Sequence, residues 1–448
     1  MLRGIAALSL LPLVAAGGCT CGSKTSVVPD AAATAAAASA TPVTAPSIAA
    51  SAGAPPLDAS VFSAPIAAAR VAHVDVVAGL VAAESVVRVL GMVDGKPAWS
   101  ADALRGVSWS PDAELHLQPA DGGVALMWRG MRDGKAGRTL VVLGPRGEPR
   151  SQPADVGSAF CATAEGVAWL DPRTTGPSRV LARRWADADA REVVSVSPER
   201  DASLVCGDHS VVVLGDGDDD LTEASFVPGD AAPQPPRVAL RDADFGDDEE
   251  REHDAFTVGD DLGVVRVASS GAVAVRDVPR GGAPSPWRRL KNALGPDDDV
   301  VAVDGDADST LVLFTREADE SCPGVGSTAE SVRALRVDRK TGTESVLELA
   351  PADCDRSPGP FWIAPSPGAP TIAWVERATK LPPKAAPVVG AAVRTLKTAG
   401  VVARRIDLQA DALVDGGCDE RGCSMAALLR PAGGDGMQPE AIGLLAYP

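Results

Sequence analysis

A unit made of a short strand, a tight turn and a second apolar strand recurs seven times along this chain, and no other feature limits its fold so strongly. The copies read LHLQPADGGVALMW from Leu115, FCATAEGVAWLD from Phe160, LVCGDHSVVVLG from Leu204 and FTVGDDLGVVRVA from Phe256. They continue as VVAVDGDADSTLVLF from Val300, FWIAPSPGAPTIAWVE from Phe361 and ALVDGGCDERGCSMAALL from Ala412. The second strands begin near Val124, Val167, Val211, Val264, Leu311, Ile372 and Met425, at spacings of 43, 44, 53, 47, 61 and 53 residues. Each turn is rich in Gly, Asp or Pro, the residues that accept the backbone angles of a hairpin. Such a period marks a repeat architecture, in which units that cannot bury an apolar face alone stack against their neighbours.

Between the copies lie further strand pairs, such as RTLVVLGPRGEP from Arg138 and SVRALRVDRKTGTESVLEL from Ser331. Helical periodicity is nearly absent, and 45 Gly and 37 Pro interrupt the chain too often for long helices. Four strands per roughly 50 residues, about seven times over, resembles a β-propeller. The fold class expected is therefore all-β, a seven-bladed propeller, or an eight-bladed one if Val86 to Trp109 forms its own blade. Trp128, Trp169 and Trp374 fall in equivalent second strands, where a large ring fills the wedge between blades. The last unit lacks a strand after GLLAYP, and one from Arg70 to Leu90 is expected to complete it and close the ring. No Gly-His to Trp-Asp pairing, Asp-box or kelch double glycine stands out. An array of β-sandwiches is the alternative, since short strands with turns serve both folds.

The N-terminus has a different character. MLRGIAALSLLPLVAAGGC has one basic residue, an apolar run from Ile5 to Val14, then small residues up to Cys19, the layout of a secretory signal peptide. Ala16-Gly17-Gly18-Cys19 resembles the lipobox of bacterial lipoproteins, with Ala16 where Leu is usual. The resemblance implies that Cys19 takes a diacylglyceryl group and becomes the new N-terminus. Cleavage after Ala16 with plain secretion is the alternative. The apolar run is about half the 20 residues that a bilayer core requires, so it does not read as an anchor that stays in place. Thr20 to Pro65 is almost wholly Ala, Ser, Thr, Pro, Gly and Val, too poor in bulky side chains to offset its chain entropy. The expected organisation is a signal peptide over 1–18, a lipid-anchored disordered tether over 19–65 and the propeller over 66–448. A random coil of the tether's length spans roughly 35–40 Å.

A net charge of -18 repels phosphate backbones and argues against nucleic acid as a partner. Eight cysteines in an exported chain read as a disulfide framework. With Cys19 lipidated and Cys21 left odd, Cys418 pairs with Cys423 across DERG, Cys322 with Cys354, and Cys161 with Cys206 by elimination. Zinc is the competing reading, but no pair has zinc-finger spacing.

Candidate chemistry is sparse. Asp304, Asp306 and Asp308 have the alternate spacing that surrounds a calcium ion, but Ser309 and Thr315 stand where a calcium loop needs Gly and Glu. Asp216, Asp218 and Asp220 repeat the spacing, and both runs read equally as hairpin turns. FGDDEEREHD from Phe245 to Asp254 reads as a solvated loop, with His253 on the surface. No Gly-x-Ser-x-Gly or His-Glu-x-x-His occurs, and His73, His116, His209 and His253 are isolated from any nucleophile. Gly324-Val-Gly326 lacks the strand and helix of a dinucleotide site, and Gly130 to Lys135 misses the phosphate-loop spacing. A single Tyr and few Phe argue against a carbohydrate platform; Trp109, Trp185 and Trp287 are the candidates for one, with packing in the core or at a blade edge the favoured reading. The function expected is a non-catalytic, membrane-anchored binding or scaffold platform with no cofactor and an envelope protein as partner, at the outer membrane or cell surface. Thr20, in place of an Asp that retains lipoproteins at an inner membrane, favours that location. A propeller enzyme or cofactor-binding protein with its site at the central channel, and a calcium-stabilised adhesive module, are the alternatives.

Overall fold

The computed structural model describes Leu57–Asp58 and residues 62–447, apart from 72–73, 94–95, 121–122, 151–153, 158, 172–176, 188, 208, 218–219, 230–236, 242–250, 269, 296–297, 323–327, 365–369, 380–387, 398–399, 420–421 and 430–440. From residue 402 onward only the backbone is described. Cys19 and Cys21 lie outside the described residues, as does the Gly324–Gly326 run. One 3-10 turn, Ala82–Glu84, is the sole helical element among the described residues; all other regular structure is strand.

The chain begins with β1 (Leu57–Asp58) and then lays down antiparallel meanders. The first sheet contains β2 (Ser63–Val71), β3 (Val74–Val81), β4 (Val86–Val93) and β5 (Lys96–Arg105). The second has β6 (Val107–Ser108), β7 (Glu114–Ala120), β8 (Gly123–Arg132), β9 (Lys135–Leu143) and β10 (Ala154–Asp155). The third runs through β11 (Phe160–Ala162), β12 (Gly166–Asp171), β13 (Ser178–Arg184) and β14 (Arg191–Val196). In the fourth are β15 (Asp201–Cys206), β16 (Val211–Asp216), β17 (Asp220–Phe226) and β18 (Arg237–Arg241). The fifth holds β19 (Arg251–Val258), β20 (Asp261–Ala268), β21 (Val273–Val278) and β22 (Arg288–Arg289). The sixth is β23 (Asp298–Gly305), β24 (Ser309–Ser321), β25 (Thr328–Asp338) and β26 (Glu344–Ala350). The seventh combines β27 (Arg356–Ala364), β28 (Thr371–Ala378), β29 (Val388–Lys397), β30 (Gly400–Asp419), β31 (Gly422–Leu429) and β32 (Ala441–Tyr447) with β1 at its edge.

These seven sheets form a seven-bladed propeller. First strands neighbour one another in turn: β2 lies beside β7, β7 beside β11, and so on through β15, β19, β23 and β27, with β30 returning to β2. The seventh blade is compound. The 20-residue β30 pairs with β29 over its first half and with β31 over its second, so one sheet holds two four-stranded meanders that share a strand.

Two details differ from the sequence reading. The segment Arg70 to Leu90 does not complete the last sheet; it belongs to the first sheet, where Val86–Val93 pairs with Val74–Val81. The last sheet is completed by β1, with Leu57 opposite Ile442 and Asp58 opposite Ala441, inside the segment assigned to the tether. The acidic run over 245–254 is also not loop throughout, because Arg251 to Asp254 are strand and pair with Ala268 to Val265. A partner strand of matching length extends the ladder into the charged residues, whose backbone pairs as readily as any other.

Apolar layers fill the gaps between blades. Leu115, Leu126 and Trp128 of the second sheet pack with Val76, Leu80 and Val89 of the first. Met127 and Leu140 face the other way, onto Val167 and Trp169 of the third. Middle strands are thus covered on both sides, which is why β12 reads GVAWLD with five consecutive buried residues rather than an alternation. Trp128, Trp169 and Trp374 are all buried, at 0%, 5% and 1% exposure, in the wedges where the sequence placed them. The β8–β9 hairpin closes on Asp133-Gly134, both with positive φ, the pair that a two-residue type I′ turn requires.

Candidate binding surface

The meander order puts the turns between first and second strands at one end of the propeller, and the turns between second and third strands at the other. At the first end, polar side chains tie one blade to the next. Asp260, in the β19–β20 turn, accepts hydrogen bonds at Oδ1 from the N–H groups of His209 and Ser210 at 3.2 and 3.0 Å and from Ser210 Oγ at 2.8 Å. His209, isolated in sequence, meets Glu165 of the preceding blade at 3.4 Å. Gln118 spans three blades: its Oε1 accepts from the N–H of Ala162 at 3.3 Å, and its Nε2 donates to Cys206 Sγ at 3.2 Å.

The expected disulfides Cys161–Cys206 and Cys322–Cys354 are both formed. The first joins β11 to β15; the second joins the end of β24 to the entry of β27. Cys418 and Cys423 stand directly opposite in the β30–β31 register, though their side chains lie outside those described.

The three candidate calcium ligands diverge. Asp306 Oδ1 accepts from the N–H groups of Asp308 and Ser309, at 2.8 and 2.7 Å, and so closes the β23–β24 turn. Asp308 binds Lys340 Nζ at 2.7 Å. Asp304 accepts from the N–H of Gly305 at 2.7 Å. Among the described residues no three His, Cys, Asp or Glu side chains gather as a metal site. Of the second acidic run, Asp220 pairs with Arg200, while Asp218 is outside the described residues.

Burial raises the Asp304 carboxyl from its ordinary 3.8 to about 7, with the Gly305 N–H opposing the shift and Asp254 and Asp306 adding to it. The folded state therefore holds this proton more tightly than the unfolded chain does. The contribution of this one group to stability is full below pH 4, is lost as the pH rises towards about 7, and is gone above it. Asp304→Asn should remove that decline, measured as urea midpoints at pH 5 and pH 8; an unchanged pH dependence would contradict the assignment.

At the opposite end, a row of charged residues crosses the second blade. Glu114 of β7 is opposite Arg129 of β8, and Arg129 is opposite Arg138 of β9. Glu114 Oε1 accepts from Arg129 Nη1 at 2.7 Å, and its Oε2 lies 3.7 Å from His116 Nε2. Burial lowers the pKa of His116, opposed by Glu114 and reinforced by Arg129 and Arg138. Trp109, which follows β6 where Ser108 pairs with Met131, belongs to the same end and is 60% exposed. Of the other platform candidates, Trp185 donates its indole N–H to Thr163 O at 3.1 Å, and Trp287 lies under Arg276 at 5.4 Å. The sequence reading passed over Arg129 and Arg138. A two-residue turn at 133–134 makes any two positions that sum to 267 cross-strand partners, and that count would have found them.

No protein-family model matches the chain, and no curated protein matches it in sequence. Among solved structures, the β-propeller domain of the trilobed protease of Pyrococcus furiosus is 8% identical, with a TM-score of 0.45 over 71% of this chain and 91% of that one. The WD40 domain of SCAP from fission yeast is 11% identical, with a TM-score of 0.45 over 86% and 95%. An acylaminoacyl peptidase from Pyrococcus horikoshii is 10% identical, with a TM-score of 0.44 over 75% of this chain; the match spans 51% of that enzyme's length. The chain's own seven sheets make it an all-β propeller of divergent sequence.

Proposed function

We propose that this protein is a non-catalytic binding platform of the bacterial cell envelope, held by a lipid on Cys19 at the outer membrane or cell surface, with an envelope protein as its partner. The observation that carries this reading is the use made of the polar turn residues. Asp260, His209 and Gln118 latch one blade to the next, Asp306 closes its own turn, and Asp308 ties that turn to Lys340 in another turn of the same blade. The result is a ring stiffened in advance of any encounter, which lowers the ordering cost of binding. Trp109 supports the same reading, since exposed Trp is enriched among the side chains that dominate interfaces. Two disulfides are consistent with export, and among the described residues no helix is long and apolar enough to cross a membrane.

Radiolabelled palmitate should enter the wild-type protein in cells and not Cys19→Ser, and only the wild type should sediment with membranes. Equal labelling of the two would overturn the anchor. Crosslinking in intact cells followed by capture should then recover an envelope protein, and Trp109→Ala should weaken that recovery. Turnover of a substrate by the purified chain would replace the platform reading with the enzyme one.

A further inference from the structure

Arg129 and Arg138 face each other directly across the β8–β9 ladder. Like charges in that position destabilise a sheet, and opposite charges are what normally fill it. One carboxylate answers the pair, and it is taken up: Glu114 holds Arg129 at 2.7 Å and stands beside His116. Among the described residues, no carboxylate lies within ion-pair distance of Arg138. The next position along the row is Val156, whose N–H bonds to the carbonyl of Arg138 and which joins the apolar layer against the third blade. An acidic chain of net charge -18 thus carries a local excess of positive charge.

The surroundings suit a ligand. Arg129, Glu114 and His116 are each about one-quarter to one-third exposed at the side chain, open to solvent yet partly withdrawn from it. The same faces of β8 and β9 carry Met127 and Leu140, which pack with Trp169 and Phe160 of the third blade, so the row borders an apolar wall. His116 Nε2 is buried without a hydrogen-bond partner. Burial and the neighbouring Arg129 both lower the pKa of Arg138, and Glu114 opposes them only in part.

We propose that Arg129 and Arg138 form an oxyanion site, in which a carboxylate or phosphate group of a small ligand is seated between the two guanidinium groups with His116 at its side. Two planar forks on adjacent strands offer paired N–H donors to either group, the geometry for which Arg surpasses Lys. A bound anion would neutralise the cross-strand repulsion, so the charge arrangement that weakens the empty sheet becomes favourable when the site is filled. The site rests on the binding-platform reading and names one chemistry that the platform recognises.

The test uses the full-length chain in detergent, with inorganic phosphate and acetate as separate probes. His116 is followed by NMR, its resonance assigned by loss of the signal in His116→Gln. One probe or both should shift the resonance saturably and raise its pKa, since an anion beside the ring favours the imidazolium. The tighter probe identifies the group. Arg138→Gln should weaken binding about tenfold or more, the loss of one charge-assisted contact, with Arg138→Lys intermediate. Thermal midpoints of the variants establish that they remain folded. No saturable shift with either probe, an equal shift in Arg138→Gln, or the same shift with chloride at matched ionic strength would overturn the site. Such a failure would leave the platform reading standing, because partner capture from cells is scored independently.

Discussion

Replacing Trp374 by alanine should destabilise the protein by about 3–5 kcal/mol, the range for truncating a buried aromatic residue. The indole is 1% exposed and lies in the layer between the sixth and seventh blades, with Leu311, Leu313 and Leu349 on one side and Ile372 and Ala392 around it. Phe361 packs at a centroid distance of 6.2 Å, tilted by 41°. The guanidinium of Arg394 lies 5.0 Å from the ring centroid, and its Nε donates to the carbonyl of Leu349 at 2.6 Å, tying the seventh blade to the sixth. Burial already lowers the pKa of Arg394. Loss of the ring therefore opens a cavity and strips a partly desolvated cation of its aromatic face. Trp374→Phe, which keeps most of the volume, should cost clearly less. Urea unfolding monitored by circular dichroism checks both variants, and a loss below about 1 kcal/mol for alanine would mean that the layer collapses to refill the space.

Removing the disulfides should have a comparable effect. The bonded cysteines are separated by 45 and 32 residues, and the chain-entropy relation gives about 4 kcal/mol for the first and slightly less for the second. Each bond joins neighbouring blades, so its loss lengthens the loop that must close before two sheets pack. The double variant Cys161→Ala with Cys206→Ala should unfold at lower urea than the wild type, and Cys322→Ala with Cys354→Ala likewise. Thiol titration of the unfolded proteins establishes which bond each variant retains. If neither pair lowers the midpoint, the bonds add nothing to a ring already held by its apolar layers.

The parts of this fold that were legible in sequence are those with their own local signal. All seven second strands begin within about three residues of the positions read from the repeat, because each couples an apolar run to a Gly or Asp turn. The wedge positions of Trp128, Trp169 and Trp374 followed from that register. The closing strand was not legible. Leu57–Asp58 is two residues long, has no period, and is strand only because the edge of β32 offers hydrogen bonds to it. A strand within Arg70 to Leu90 was legible, yet its assignment to the last sheet failed, since pairing between distant segments is set by ring geometry and not by local pattern. The fusion of two meanders through β30 escaped notice for the same reason. As for sites, Asp304, Asp306 and Asp308 share a spacing but not a direction. A turn sends one carboxylate into the backbone, another to Lys340 and the third to the interior.

The placement of β1 has a mechanical consequence. β1, the described strand nearest to Cys19 in sequence, lies at the edge of the seventh blade and completes that sheet. If Cys19 is fixed in a membrane, any pull on the protein arrives at β1, on the pair of contacts Leu57 to Ile442 and Asp58 to Ala441. Anchorage and ring closure then share one seam. Load would open the seam there first, peeling one short edge strand, while the first strands around the axis and the two disulfides stayed out of the line of force. With Cys19 so fixed, a proteolytic cut just after Asp58 would do both things at once, parting the propeller from its point of attachment and leaving β32 as a bare edge.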